Sequence, residues 1–287
     1  IPSDHCFNMS VFACRAAFGG GDFTQSAKTT GVRAEAGKHY VCIMMSDGDN
    51  VQTWYNTFPF NSKYFGAERG DFPMGWSVQP SLSDLGSNVL GYLKRNAGAK
   101  DYFVCSVSGQ GYINAGNYAA QKNGEYFADF CSKLDVYMKK AGLSVATVIG
   151  GNSQNDVANV LAGYAGCESV KGGIVYDGYK YFGTTPGGVM WVNGKPFIQP
   201  RDSLWETTPA YIAARINTYS TDITTIDAYT IVNVHPWSHS YADIRTIVGM
   251  LNDNVEVVSV DRLVTMMTDN VTDKSSTNSF QVPERNG

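Results

Sequence analysis

The feature that most constrains this chain is the recurrence of short apolar runs of strand length, each bounded by turn residues and most followed by a segment of helical periodicity. Eight occur, at residues 39–45, 73–78, 101–107, 143–149, 172–176, 195–199, 229–234 and 255–258. Strands that alternate with helices at this spacing form parallel βαβ units. The expected fold is therefore α/β, a parallel (β/α) barrel of the TIM type with seven or eight strands. The clearest helix is 125–140, where Phe127, Phe130, Leu134, Tyr137 and Met138 fall on one stripe. Segments 83–95, 154–165, 208–219, 241–252 and 261–267 each carry a starting cap or an apolar i, i+3, i+4 pattern. Residues 178–190, rich in Gly, Tyr and Thr, offer the fifth unit no clear helix, so the barrel is expected to be irregular.

No internal repeat of 20 to 50 residues is visible, and 287 residues fit one barrel. Residues 1–36 read as a lead-in packed on the barrel, 37–269 as the barrel domain and 270–287 as a polar C-terminal tail. A net charge of −4 without a long basic run argues against nucleic acid. No apolar stretch approaches the roughly 18 to 20 residues that cross a bilayer, so no membrane insertion is expected.

Charged residues make up only 17% and aromatics 13%, with Gly, Ser, Thr, Asn and Tyr abundant. That mixture suits a secreted or cell-surface protein that meets neutral polar ligands. The chain starts at Ile1 without a basic segment and apolar core ahead of it, and reads as a processed piece. Its six cysteines lack CxxC spacing, which favours disulfides over a zinc site, with Cys6 paired to Cys14 and Cys131 to Cys167. Cys42 and Cys105 lie inside apolar runs, where a free thiol behaves as a small hydrophobe. Sequons at Asn8 and Asn270 fit secretion.

In a parallel barrel the loops after the strands converge on one mouth, so catalytic groups collect there. Polar residues in those places are Asp47 and Asp49 after the first run, Gln79 after the second, and Gly109, Gly111 and Tyr112 after the third. Later come Asn152, Asp177, Arg201 and Asp202, and the His235, Trp237, His239 cluster. Carboxylates with aromatic company are what a sugar site needs, because rings stack on pyranose C–H faces while two carboxyls serve as acid and as base or nucleophile. Asp47, Asp49, Asp177, Asp202 and His235 are the catalytic candidates, and the remainder are candidates for substrate binding.

Each candidate has a plainer alternative. Asp47-Gly48-Asp49 supplies a catalytic acid, or holds a divalent cation such as calcium, or forms a tight turn in which Asp bonds local N–H groups. Asp202 stands beside Arg201, and a salt bridge there would keep it ionised. His235 and His239 have i, i+4 spacing, but Pro236 disfavours helix at His235, which places His235 at a strand end and Trp237 as a sugar platform. The Gly109–Gly111 turn lacks the third glycine and the lysine of a phosphate loop.

Together, residues 46–52, Gly75-Trp76-Ser77, the 108–112 run and 235–239 resemble the C-terminal domain of the GxGYxYP family, regarded as glycoside hydrolases. Gly109, Gln110, Gly111 and Tyr112 match the naming motif, while Asn114 and Ala115 stand where it has Tyr and Pro. The resemblance implies hydrolysis of extracellular oligo- or polysaccharide, and no cofactor is expected apart from the divalent cation that the Asp47-Gly48-Asp49 loop itself could hold. Two rivals stand beside it. One is a non-catalytic carbohydrate-binding or structural surface protein, because fold does not dictate activity. The other is a metal-dependent polysaccharide deacetylase, which Asp47, Asp49 and His235 fit superficially, although residues 79–90 lack the histidine pair it requires.

Overall fold

Each of the eight apolar runs forms a strand, and two further strands appear among them. The computed structural model describes residues 23–25, 33–55, 58, 65–66, 69–151, 153–176, 187–275 and 280. Cys6, Cys14, the Asn8 sequon, Asn152 and Asp177 lie outside these residues.

The strands are β1 (His39–Met45), β2 (Met74–Val78), β3 (Asp101–Cys105), β4 (Val145–Val148), β5 (Gly172–Val175), β6 (Val189–Val192), β7 (Lys195–Ile198), β8 (Asp202–Leu204), β9 (Tyr229–Val234) and β10 (Val255–Val257). The helices are α1 (Val51–Trp54), α2 (Leu82–Leu85), α3 (Ser87–Asn96), α4 (Ala115–Ala119), α5 (Glu125–Ala141), α6 (Gln154–Gly166), α7 (Pro209–Ile216), α8 (Tyr241–Gly249) and α9 (Val260–Asn270). Their ends follow local chemistry. Ser153 and Thr208 accept the N3 amides of α6 and α7, and Ser240 with Asp243 forms a capping box on α8. α5 stops at Gly142, whose φ of 64° allows its own amide to bond the Lys139 carbonyl and that of Leu143 to bond Met138.

The strands run β6-β7-β5-β4-β3-β2-β1-β9-β8, with β10 pairing β1 off this path. Every ladder is parallel except β6 with β7. That exception is a hairpin closed by Asn193 and Gly194 at φ 52° and 74°, the left-handed pair a two-residue type I′ turn requires. The sheet curls into a half-barrel, and the expected closed barrel is not formed.

Two features account for the opening. β10, in place of extending the sheet, pairs with the base of β1 (His39 with Val255), on the strand whose upper end pairs with β2 (Met44 with Gly75). The last helix, α9, then packs where a closed barrel has only strand side chains.

The alternation of β1 shows this second point. Val41, Ile43 and Met45 belong to the outer core, with Leu90 and Leu93 of α3, Leu134 and Met138 of α5, Leu161 of α6, Ile216 of α7 and Ile244 of α8. Tyr40, Cys42 and Met44 face the other way, into an inner core filled by Leu263, Val264, Met266 and Met267 of α9. With a helix occupying the bore, the two edge strands do not meet. The lead-in and the end of the chain also touch the outer core: Phe23 and Phe280 are buried there, and Gln25 bonds both the amide and the carbonyl of Phe103.

The cysteines correct a second expectation. Cys42, Cys105, Cys131 and Cys167 are all buried free thiols, so the expected Cys131–Cys167 disulfide is not formed. The two sulfurs are nonetheless hydrogen-bonded neighbours between α5 and the end of α6, and Cys167 Sγ also donates to the Cys131 carbonyl at 3.4 Å. Packed helices satisfy them as small hydrophobes with weak donors. Among the described residues, no helix is long and apolar enough to cross a membrane.

Candidate active site

The inner face changes character along the strands. Its lower half is the apolar layer against α9, whereas at the strand tops the same alternation presents Ser46, Ser77, Thr147 and Asn233. These residues open into a cavity of about 230 Å³, also lined by Asp47, Asp49, Tyr112, Tyr176, Trp205 and His235.

The loop after β1 is fixed from several sides. Asp47 adopts φ 65°, a left-handed conformation that Asp tolerates better than most residues. Gly48 follows, its amide donating to Ser77 Oγ at 2.9 Å, and a Cβ at this position would lie 1.7 Å from the Ser77 carbonyl oxygen. Only glycine permits so close a crossing of the β2 end. The Trp54 indole donates to the Gly48 carbonyl at 2.9 Å, and the Asn50 amide to that of Asp47 at 3.1 Å. The turn and the site are thus one structure, in which local bonds hold two carboxyls at the cavity.

Their electrostatics differ. Burial raises the Asp47 carboxyl above the usual range, against hydrogen bonds from the Ser46 hydroxyl and the Trp237 indole that favour its ionised form. Burial, and after it the charge of Asp47, pushes Asp49 up to about 6. His235 is lowered by burial and by His239, so it is neutral at pH 7. Its Nε2 lies 3.7 Å from Asp47 Oδ2 and its Nδ1 2.8 Å from Ser238 Oγ. The imidazole lies flat on Trp205, with centroids 3.8 Å apart and planes at 7°.

A comparison with known families matches residues 37–268 to the "GxGYxYP putative glycoside hydrolase C-terminal domain". The chain belongs to the GxGYxYP family. Among solved structures it is similar to a putative hydrolase from Bacteroides thetaiotaomicron VPI-5482, at 28% identity and a TM-score of 0.74. The alignment covers 86% of this chain and 48% of that one, so this chain spans about half the length of that protein. No curated protein matches it.

Within this GxGYxYP domain, Asp47, Asp49, Tyr112 and His235 meet at one cavity, as their positions after strands imply. Gly109 and Gly111 shape the turn in which the Ser108 amide bonds the Gly111 carbonyl, carrying Tyr112 to the rim, where it is 61% exposed. Trp237 is 49% exposed, packs on Phe58 and donates to Asp47.

Other candidates fall elsewhere. Asp202 starts β8 and does not end the sixth run. Its buried carboxylate bonds Arg215 Nε and the Tyr219 hydroxyl, each at 2.8 Å, on the helix-covered side. Arg201, its expected partner, instead pairs with Asp227 at 3.0 Å. Gln79 is buried and donates to the Val107 carbonyl, outside the cavity lining. His239 bonds the Trp205 carbonyl at 2.8 Å and faces Asp243 at 3.5 Å, which makes it a support for the His235 region and not a cavity wall. Among the described residues, no group of three His, Cys, Asp or Glu side chains is arranged to hold a metal ion.

The reading from sequence missed Thr147, Asn233, Tyr176 and Trp205. Thr147 and Asn233 had a signal, being polar interruptions at alternate positions of apolar strands. Trp205 had none, because the three residues of β8 are too short to show a period.

Proposed function

We propose that this domain hydrolyses a glycosidic bond of an oligo- or polysaccharide, with Asp49 as general acid and Asp47 as its ionised partner. The observation that carries this reading is that two carboxyls share one cavity, where burial and the charge of Asp47 push Asp49 up to about 6 while Asp47 keeps hydrogen bonds from Ser46 and Trp237 that oppose its own rise. Glycoside hydrolysis needs one carboxyl that retains its proton, to protonate the leaving oxygen, and one that has lost it, to act as base or nucleophile. Asp49, held near 6, keeps its proton in mildly acidic solution. Asp47 accepts from Ser46 and Trp237, which favours its ionised form. His235, neutral and stacked on Trp205, stands 3.7 Å from the Asp47 carboxylate without neutralising it. Tyr112 and Trp237 supply exposed rings on which a sugar face rests.

The test compares aryl glycosides bearing good and poor leaving groups across a panel of sugars. Asp49→Asn is expected to lose about 10²–10⁴-fold in kcat with a poor leaving group, and far less with one that departs without a proton. The alkaline limb near pH 6 should vanish with it. Asp47→Asn is expected to be impaired with both substrates. Full activity of both variants on a sugar that the parent cleaves removes the pair from the mechanism.

A further inference from the structure

Besides the exposed Tyr112 at the rim, four hydroxyl groups line the cavity, and each commits its proton to the protein. Ser46 Oγ shares its proton between the Val234 carbonyl at 2.9 Å and Asp47 Oδ1 at 3.2 Å, while Ser77 Oγ donates to Met45 at 3.0 Å, Thr147 Oγ1 to Cys105 at 2.8 Å, and Tyr176 OH to Asn233 Oδ1 at 3.0 Å. A hydroxyl carries one proton and two lone pairs, so what these groups turn towards a ligand is acceptor character. Asp47 adds carboxylate oxygens and Asp49 a carboxyl, and no Lys or Arg is among the described lining residues. Below them Met44, Val104, Val145 and Ile231 are fully buried in the core shared with α9, which seals the floor. The volume of about 230 Å³ lies below the roughly 300–1,000 Å³ of sites for drug-sized ligands, which leaves room for one sugar ring.

We infer that the cavity takes a single chain-terminal sugar residue, end-on, and selects residues that donate hydrogen bonds and carry no carboxylate, sulfate or phosphate. Resting on the glycosidic reading above, this makes the protein exo-acting on uncharged chains. An anionic sugar would place its charge beside two carboxyls, with no cation to repay its lost hydration. A neutral pyranose presents a ring of donors that the strand tops accept. A sealed floor stops the chain from passing through, so cleavage falls between the residue in the cavity and the next.

The test has a binding arm and a product arm. In the first, neutral monosaccharides, their uronates and their fluorodeoxy derivatives are titrated by ligand-observed NMR. Fluorine keeps the size of the hydroxyl and removes its proton. The uronate, and at least one fluorodeoxy derivative, should bind tenfold or more weakly than the parent sugar. Thr147→Val should weaken binding of the parent, and Thr147→Ser should not. In the second arm, neutral oligosaccharides labelled at one end should release monosaccharide from the first time points. Internal cleavage overturns the end-on placement and leaves the glycosidic reading intact. A uronate that binds as well as its neutral counterpart overturns the selection. Neutral monosaccharide binding with no cleavage across the panel supports the selection and removes the glycosidic reading, and neither binding nor cleavage removes both.

Discussion

Asp202 and the Asp47–Asp49 pair are both acidic segments at strand boundaries, and their surroundings are opposite. The Asp202 side chain has no exposed surface, yet Arg215 and Tyr219 meet both of its oxygens. The Asp47 side chain keeps 25% exposure, and the base facing it is a neutral histidine. Burial by itself therefore does not prepare a carboxyl for proton transfer. Burial with a paired cation makes a structural strut, whereas burial without one, beside a second carboxyl, raises the carboxyl and lets it hold a proton.

The largest effect that would break this comparison is at the strut. Asp202→Ala leaves Arg215 and Tyr219 without their shared acceptor and should cost about 3–5 kcal/mol of stability, read by urea unfolding. An unchanged midpoint would mean that the pair is not a strut. Next comes the opposite sign at the site. Because Asp49 is raised from 3.8 to about 6, its protonation favours the fold, a contribution fully present below pH 3.8 and lost as pH rises through about 6. Asp49→Asn, which cannot ionise, should thus unfold later than the parent at pH 7.5, by about 2 kcal/mol, and show little difference at pH 3.5. A variant that is less stable at pH 7.5 would place Asp49 with Asp202 as a structural residue. The smallest effect is at Trp237. Trp237→Phe keeps a ring on Phe58 but deletes the indole donor to Asp47, and should move the acid limb of the rate profile upwards by roughly half a unit to one unit. An unmoved limb would show that this hydrogen bond does not tune Asp47.

Much of the site was legible because residues after strands share one end of a parallel sheet, which is why Asp47, Asp49, Tyr112 and His235 meet. Asp202 was misplaced because β8 was not recognised, so the end of one strand was taken where another begins. The β6–β7 hairpin carried its own signal in Asn193-Gly194 between two apolar runs, and that signal points away from another βα unit.

The sequence by itself determined eight of the described strands, the helical stripes, the caps and the loops that carry the candidate groups. These depend on neighbours within a few residues and on periods of 2 and 3.6. Only the tertiary structure decided that the sheet stays open, that α9 fills its inner face, that Cys131 and Cys167 remain thiols, and which carboxylates found a cation. An apolar stripe states that one face of a helix will be buried but not against which partner. A carboxylate likewise takes its charge state from groups that the chain brings back from elsewhere in the fold.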